Sequence, residues 1–266
     1  MTPYKPLQFL LFLGISFCYF PSSHAQYTPP GLGEVHTAEW FALGVKEDIN
    51  TSKKINSTTF LGVGRSSSPD NYTPFDRAAI YVFNQEISFT AYKHWHYAGA
   101  LSYRWQNRYT KETPYTLDNP SGRQEVRVYG KYTYKTAWQF VDISFTLRPE
   151  LRLFFNPDFS AYASPKSYRM RFSNKLKFYL NRYKTKNIQL KTELLGTVFN
   201  ENASLFTYTE TRFSLYFSTQ LYHNSAVFNI GYMNDLINGP HITDAHYIAL
   251  DVTFKNLFTH KAHQPS

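Results

Sequence analysis

Between Lys166 and Leu180 the chain alternates almost without a break. Tyr168, Met170, Phe172, Leu176, Phe178 and Leu180 fall on one face, and Ser167, Arg169, Arg171, Ser173, Lys175 and Lys177 on the other. Period-two alternation is the pattern of a β-strand. A strand this long, apolar and aromatic on one side and cationic on the other, has few places to go. In a membrane every backbone polar group must find a partner within the protein, which leaves strands one option, a closed barrel that is apolar outside and polar within. The predicted fold is therefore all-β: a transmembrane, antiparallel, up-and-down β-barrel.

The amino terminus carries a secretory pattern. Lys5 supplies the positive region, Leu7 to Phe20 the apolar region, and Ser23-His24-Ala25 a small-residue cleavage site. Residues 1–25 are predicted to be a cleaved signal peptide and residues 26–266 the barrel domain. Cys18 is the single cysteine and lies within the signal, so disulfides and thiolate metal sites are excluded for the remainder. Beyond the signal, no run approaches the length of apolar sequence that a transmembrane helix needs. Aromatic residues make up 18% of the chain, with 22 Tyr and 23 Phe. Low mean hydropathy with so many rings fits a barrel in which alternate residues face lipid and aromatic belts mark both interfaces. The net charge is +9, but the cations alternate with apolar residues inside strands, and no nucleic-acid-binding motif accompanies them.

Eleven strand-like segments follow one another, at about 37–46, 54–64, 78–91, 97–108, 123–135, 138–154, 166–180, 187–198, 207–221, 226–235 and 246–257. Short turns alternate with longer polar stretches at 65–76, 109–122, 156–165, 199–206 and 236–243, the pattern of short periplasmic turns and long outer loops. Every strand is expected to lie antiparallel to its neighbours. Bacterial single-chain barrels have even strand numbers, so about ten to twelve strands are expected, with Gly31–Val35 as a candidate further strand. Pro149 cannot donate to a ladder and predicts a bulge or the barrel rim.

The registers place Arg104, Arg127, Lys131, Arg148, Arg169, Arg171, Lys175 and Lys177 in the lumen, with Glu86, Glu125, Asp142 and Glu193 among them. Arg108, Arg152, Lys191, Arg212, Glu150 and Asp251 share the same faces. Such a set is either a cation-rich constriction favouring anions or a mutual ion-pair network that fills a narrow barrel. Because buried charge must be paired and a barrel of this size has little spare width, the second is preferred. His94-Trp95-His96 sets two rings on one strand face, but two rings without a third ligand make a poor metal site. His96 and Ser102, six residues apart on one strand, stand about 20 Å apart and cannot form a nucleophile–base pair.

Trp40 ahead of a short turn, Leu101-Ser102-Tyr103-Arg104, Arg148-Pro149-Glu150-Leu151-Arg152-Leu153 and Arg169-Met170-Arg171-Phe172 together resemble an uncharacterised outer-membrane barrel family, domain of unknown function 2490. The likeness runs from about Trp40 to Phe258. It implies a bacterial outer-membrane location and supplies no activity or site residues. The expected function is an envelope barrel, structural or a narrow channel with a basic polar lumen. Outer-membrane lipid is the expected partner and small anionic solutes the candidate cargo; no nucleic acid, cofactor, metal or catalytic residue is predicted, and oligomeric state is left open. Two alternatives stand beside it: an outer-membrane lipid-modifying enzyme with partners drawn from different strands, and a soluble secreted β-protein that binds a partner.

Overall fold

The computed structural model describes Pro29, Gly31, Leu32 and residues 35–50, 54–198, 206–221, 225–239 and 241–258. The expected signal peptide, with Lys5 and Cys18, lies outside the described residues. Eleven strands make up the fold: β1 (Thr37–Asp48), β2 (Ile55–Ser66), β3 (Arg77–Thr90), β4 (Trp95–Tyr109), β5 (Leu117–Trp138), β6 (Val141–Phe155), β7 (Ala161–Tyr179), β8 (Lys186–Val198), β9 (Thr207–Leu221), β10 (Ala226–Ile237) and β11 (Thr243–Lys255). Each strand pairs with the next in sequence, and β1 pairs with β11, so the sheet closes into one barrel. No helix occurs among the described residues.

Alternation decides which side each residue takes. On β9, Arg212, Ser214, Tyr216 and Ser218 are buried while Phe213, Leu215, Phe217 and Leu221 stand outside. The same division runs round the whole wall, with Phe41, Leu61, Phe83, Leu101, Val128, Phe145, Phe172, Leu190, Ile230 and Ile248 all exposed. A largely apolar exterior around a charged interior inverts the arrangement of a water-soluble protein and is the surface of a membrane barrel. Further rings gather at the short-turn end. Tyr92, Trp95, Trp138, Phe140 and Tyr183 are exposed there, and Trp95 packs edge-on against Tyr134 with centroids 5.3 Å apart.

Closure departs from the all-antiparallel expectation. β1 runs parallel to β11, with Thr37 opposite His246 and Lys46 opposite Lys255. The even count therefore fails; eleven is the number, and the parallel seam is what an odd number of alternating strands requires. As a consequence, β1 begins at one end of the barrel and β11 finishes at the other. The candidate further strand at Gly31–Val35 is not found among the described residues either. Gly31, Leu32 and Val35 belong to no strand, and Leu32 joins the apolar cluster inside the barrel.

Pro149 marks neither a bulge nor the rim. The β5–β6 register passes from Tyr129↔Glu150 to Tyr132↔Leu147 without a shift and simply lapses between them, opposite Gly130 and Lys131. On its other side Pro149 keeps its place opposite Met170. One missing donor is thus absorbed by one gap in one ladder. Register shifts fall instead at Gly64/Arg65, Asn107/Tyr109, Leu153/Phe155 and Leu195/Gly196, all at the long-loop end. There the strands outrun the sequence-based limits. β5 starts at Leu117 and β7 at Ala161, so the expected loops 109–122 and 156–165 shrink to 110–116 and 156–160.

The parallel seam can be tested by cross-linking. In a Cys18→Ser background, Leu43→Cys with Val252→Cys, register partners in β1 and β11, should form a disulfide on mild oxidation. Leu43→Cys with Ile248→Cys, about 13 Å apart along the strand, should not. Failure of both pairs to cross-link in folded protein would mean that β1 is a free edge.

Candidate functional site

The lumen holds one extended ion-pair network, and Glu150 is its centre. Its side chain is fully shielded, takes a hydrogen bond from Arg169 Nε at 2.9 Å, and forms ion pairs with Arg148 Nε at 2.7 Å, Arg169 Nη2 at 2.8 Å, Arg171 Nη2 at 3.2 Å and Arg127 Nη1 at 3.3 Å. Register explains the convergence: Glu150 lies opposite Tyr129 on β5 and Arg169 on β7, with Arg148 and Arg171 one inward-facing step along the wall. From this hub the network spreads both ways. Arg127 reaches Glu125 at 2.5 Å, which also takes Arg152 at 2.8 Å. Arg171 reaches Glu193 at 3.4 Å, which takes Lys191 at 2.9 Å. Arg169 touches Glu210 at 3.3 Å; Glu210 takes Arg212 at 2.9 Å, and Arg212 ends on Asp235 at 3.2 Å. A neighbouring group joins Lys131 Nζ to Glu86 at 2.5 Å, with Tyr129 donating to Asn84 at 2.8 Å. The Arg148 guanidinium lies 3.5 Å over the Tyr129 ring, tying the two groups together.

The other half of the lumen is apolar. Trp40, Phe60, Ile80, Val82, Tyr216 and Met233 are buried there. The expected uniformly polar lumen is therefore corrected to a two-sided one. β1 and β2 make this possible by turning small residues inward: at Gly62 a Cβ would stand 2.3 Å from the Trp40 indole, so only glycine lets the ring lie there. The segment before β1 also enters the lumen. Leu32 N–H donates to the Tyr247 hydroxyl at 3.0 Å, and Arg212 Nη1 donates to the Pro29 carbonyl at 3.3 Å. Gly31 lies so close to Arg212 that a Cβ would be 2.4 Å from Nη2. Arginine network, apolar cluster and inserted segment together fill the part of the lumen toward the long-loop end.

The short-turn end differs. Lys135, Lys175 and Lys177 point inward there and form no ion pair among the described residues, as the bridges of the wall all lie elsewhere. Lys46 and Lys255 stand side by side on the seam. Lys175 is half-buried, and its strongest charged neighbours are Lys177, Lys135, Lys191 and Lys131.

The sequence-predicted lumen residues other than Arg108 lie at inward-facing positions of the wall, but they do not form one site. Arg127, Lys131, Arg148, Arg169, Arg171, Glu86, Glu125 and Glu193 belong to the paired networks. Arg104 is buried opposite Glu125 in register, without an ion pair among the described residues. Asp142 accepts the Tyr179 hydroxyl at 2.6 Å. Lys175 and Lys177 belong to the short-turn mouth. Sequence reading missed Glu210, and it missed Lys46, Lys135 and Lys255 as members of the mouth; the period-two rule carried to the strand ends would have found them. Arg108 is not in the lumen network but pairs with Asp118 at 3.3 Å near the long-loop rim.

Neither enzyme-like pair assembles. His96 Nδ1 is 3.0 Å from Thr90 Oγ1, whereas Ser102 donates to the Phe83 carbonyl at 3.1 Å. His94 Nδ1 lies 2.8 Å from the Lys135 carbonyl, and no cluster of three metal-binding side chains occurs among the described residues.

No family model and no curated protein matches the chain. Among solved structures, it is similar to a mutant of the ferric enterobactin receptor PfeA from Pseudomonas aeruginosa, with 12% identity and a TM-score of 0.29 over 78% of this chain and 37% of the receptor. The chain spans little more than a third of that receptor's length.

Glu150→Ala would leave four guanidinium groups facing one another in a shielded lumen. Loss of one partner from a buried pair costs about 3–5 kcal/mol, and urea unfolding of the detergent-folded barrel should show a loss of at least that order. Arg108→Ala, removing a half-exposed pair, should cost under about 1 kcal/mol. Equal effects from the two would deny Glu150 its central role.

Proposed function

We propose that the chain is a bacterial outer-membrane barrel that serves as a structural envelope protein with a largely closed lumen, through which any residual conduction is narrow and prefers anions. The observation that carries this reading is the Glu150 network. Eleven strands stand between the small barrels filled by side chains and the large ones that enclose a channel, and here the space is taken by paired arginines and carboxylates, buried rings and the segment around Leu32. The apolar exterior and the rings at the short-turn end support residence in a membrane, and the secretory pattern of residues 1–25 supports export. The family resemblance described above points to the same envelope. The short turns are assigned to the periplasmic side and the longer loops to the outside. The segment inside the lumen suits that orientation, because β1 starts at the long-loop end and the chain reaches it from within the barrel.

Conduction is expected to favour anions because Lys135, Lys175 and Lys177 at the short-turn mouth form no ion pair among the described residues. Expressed with its leader, the protein should fractionate with the outer membrane and migrate faster on gels unheated than boiled. In planar bilayers it should show conductance well below that of an open porin, with a reversal potential on the anion side. Recovery as a soluble periplasmic protein would reject the membrane reading. Large, cation-selective steps would reject the closed basic lumen.

A further inference from the structure

The cations of the lumen sort by position: toward the long-loop end most are paired, Lys131 and Lys191 as well as the arginines, and toward the short-turn mouth several are not. Arginines Arg127, Arg148, Arg152, Arg169, Arg171 and Arg212 each meet a carboxylate within 3.4 Å. Lysines Lys135, Lys175 and Lys177 form no ion pair among the described residues, although they sit in the same wall. The sheet register groups them. Ser144 on β6 lies opposite Lys135 on β5 and Lys175 on β7, and Lys175 lies opposite Lys191 on β8. Strands are spaced about 4.8 Å apart, so this row brings three ammonium groups onto about 15 Å of a concave wall. Lys177 stands on the same face, one inward step nearer the mouth. From the opposite wall Lys46 is the strongest charged neighbour of Lys135, and Lys255 is its register partner.

Each carboxylate that faces this group holds another partner, although Asp142, opposite Lys177 in register, keeps its Oδ1 without a hydrogen bond among the described residues. Asp142 accepts Tyr179 at 2.6 Å, Glu86 takes Lys131 at 2.5 Å, Glu193 takes Lys191 at 2.9 Å, and Asp48 accepts Asn256 Nδ2 at 3.1 Å. A further donor adjoins the row. Ser214 lies opposite Lys191, is 4% exposed, and has a hydroxyl with no hydrogen-bond partner among the described residues. Like charges gathered on a half-buried wall repel one another and lose hydration. Such a group is stabilised when an anion joins it.

We infer that the short-turn mouth is a binding site for a multivalent phosphate-type oxyanion, held by Lys135, Lys175 and Lys177 with the Ser214 hydroxyl, and faced by Lys46 and Lys255. A single-charge anion would neutralise one ammonium of the row. Linked or clustered phosphates offer several charges and many acceptor oxygens to flexible point donors, which is how lysine binds phosphate. This inference deepens the basic-mouth reading above and rests on it for the side from which the ligand arrives.

The test uses the full barrel folded in detergent micelles, titrated calorimetrically with inorganic tripolyphosphate at low salt. Wild type should bind. The double variant Lys175→Gln, Lys177→Gln should bind at least about tenfold more weakly, since it removes two of the three ammonium donors that hold the ligand. Arg108→Gln, at the opposite end of the barrel, should bind as wild type does. Phosphatidic acid dispersed in the micelles distinguishes the sources: displacement of tripolyphosphate assigns the site to lipid headgroups of the adjoining leaflet, and lack of displacement assigns it to soluble phosphates. No binding by wild type that retains its unheated gel mobility overturns the inference, as does equal weakening by Arg108→Gln. A soluble fractionation pattern would overturn the membrane assignment and leave this titration standing; absent binding would do the reverse.

Discussion

Glu150 is the point on which the interior turns. One carboxylate, shielded from solvent, holds four arginines contributed by three strands. In a lumen of low dielectric neither sign of charge tolerates isolation, and each group there is stabilised only by the others. Remove the carboxylate and the arginines have no reason to converge; remove the arginines and the carboxylate cannot stay ionised and buried. Strand number sets the cross-section of the barrel; the network fills one side of it, and the inserted segment and the Trp40 cluster occupy the other.

Outside, the constraint is the backbone. A wall facing hydrocarbon can leave no donor or acceptor open, so the sheet must close whatever the strand number. With eleven alternating strands the last meets the first in parallel, and the seam from Thr37↔His246 to Lys46↔Lys255 completes the ladder. Pro149 shows how small a fault this wall accepts: a local lapse opposite Gly130, with register intact on both sides. The seam also brings Lys46 beside Lys255, so the geometry that closes the barrel contributes to the positive mouth.

Strand positions and facing were legible in the sequence because period two is a strong local pattern, and Arg169, Arg171, Lys175 and Lys177 faced the lumen as their alternation required. What alternation cannot carry is pairing across the barrel. Nothing local distinguishes Arg171, bound to Glu150 and Glu193, from Lys175 four residues on, which meets other lysines; the difference lies in which residues β6 and β8 bring opposite. The strand count was read as eleven and then doubted on the rule of even numbers, which holds only for barrels closed by antiparallel pairing. The even-number rule makes Gly31–Val35 a candidate strand, whereas the Tyr247 hydroxyl and the Arg212 guanidinium hold Leu32 and Pro29 in the lumen. The apolar half of the interior is hard to read in sequence because Trp40, Phe60 and Ile80 alternate with equally apolar outward residues, and on β3 the polar face begins only at Asn84 and Glu86.

The central claim is that the lumen is sealed by the Glu150 network and open only as a basic mouth at its short-turn end. Thiol accessibility measures this directly, with a Cys18→Ser barrel in lipid vesicles carrying either Lys175→Cys or Ser102→Cys. Lys175→Cys should react with water-soluble methanethiosulfonates from the short-turn side, faster with the anionic reagent than with the cationic one. Ser102→Cys, at a fully buried position within the packed zone, should stay unmodified from either side. Ready modification of Ser102→Cys from both sides would show a continuous water path and contradict the sealed lumen.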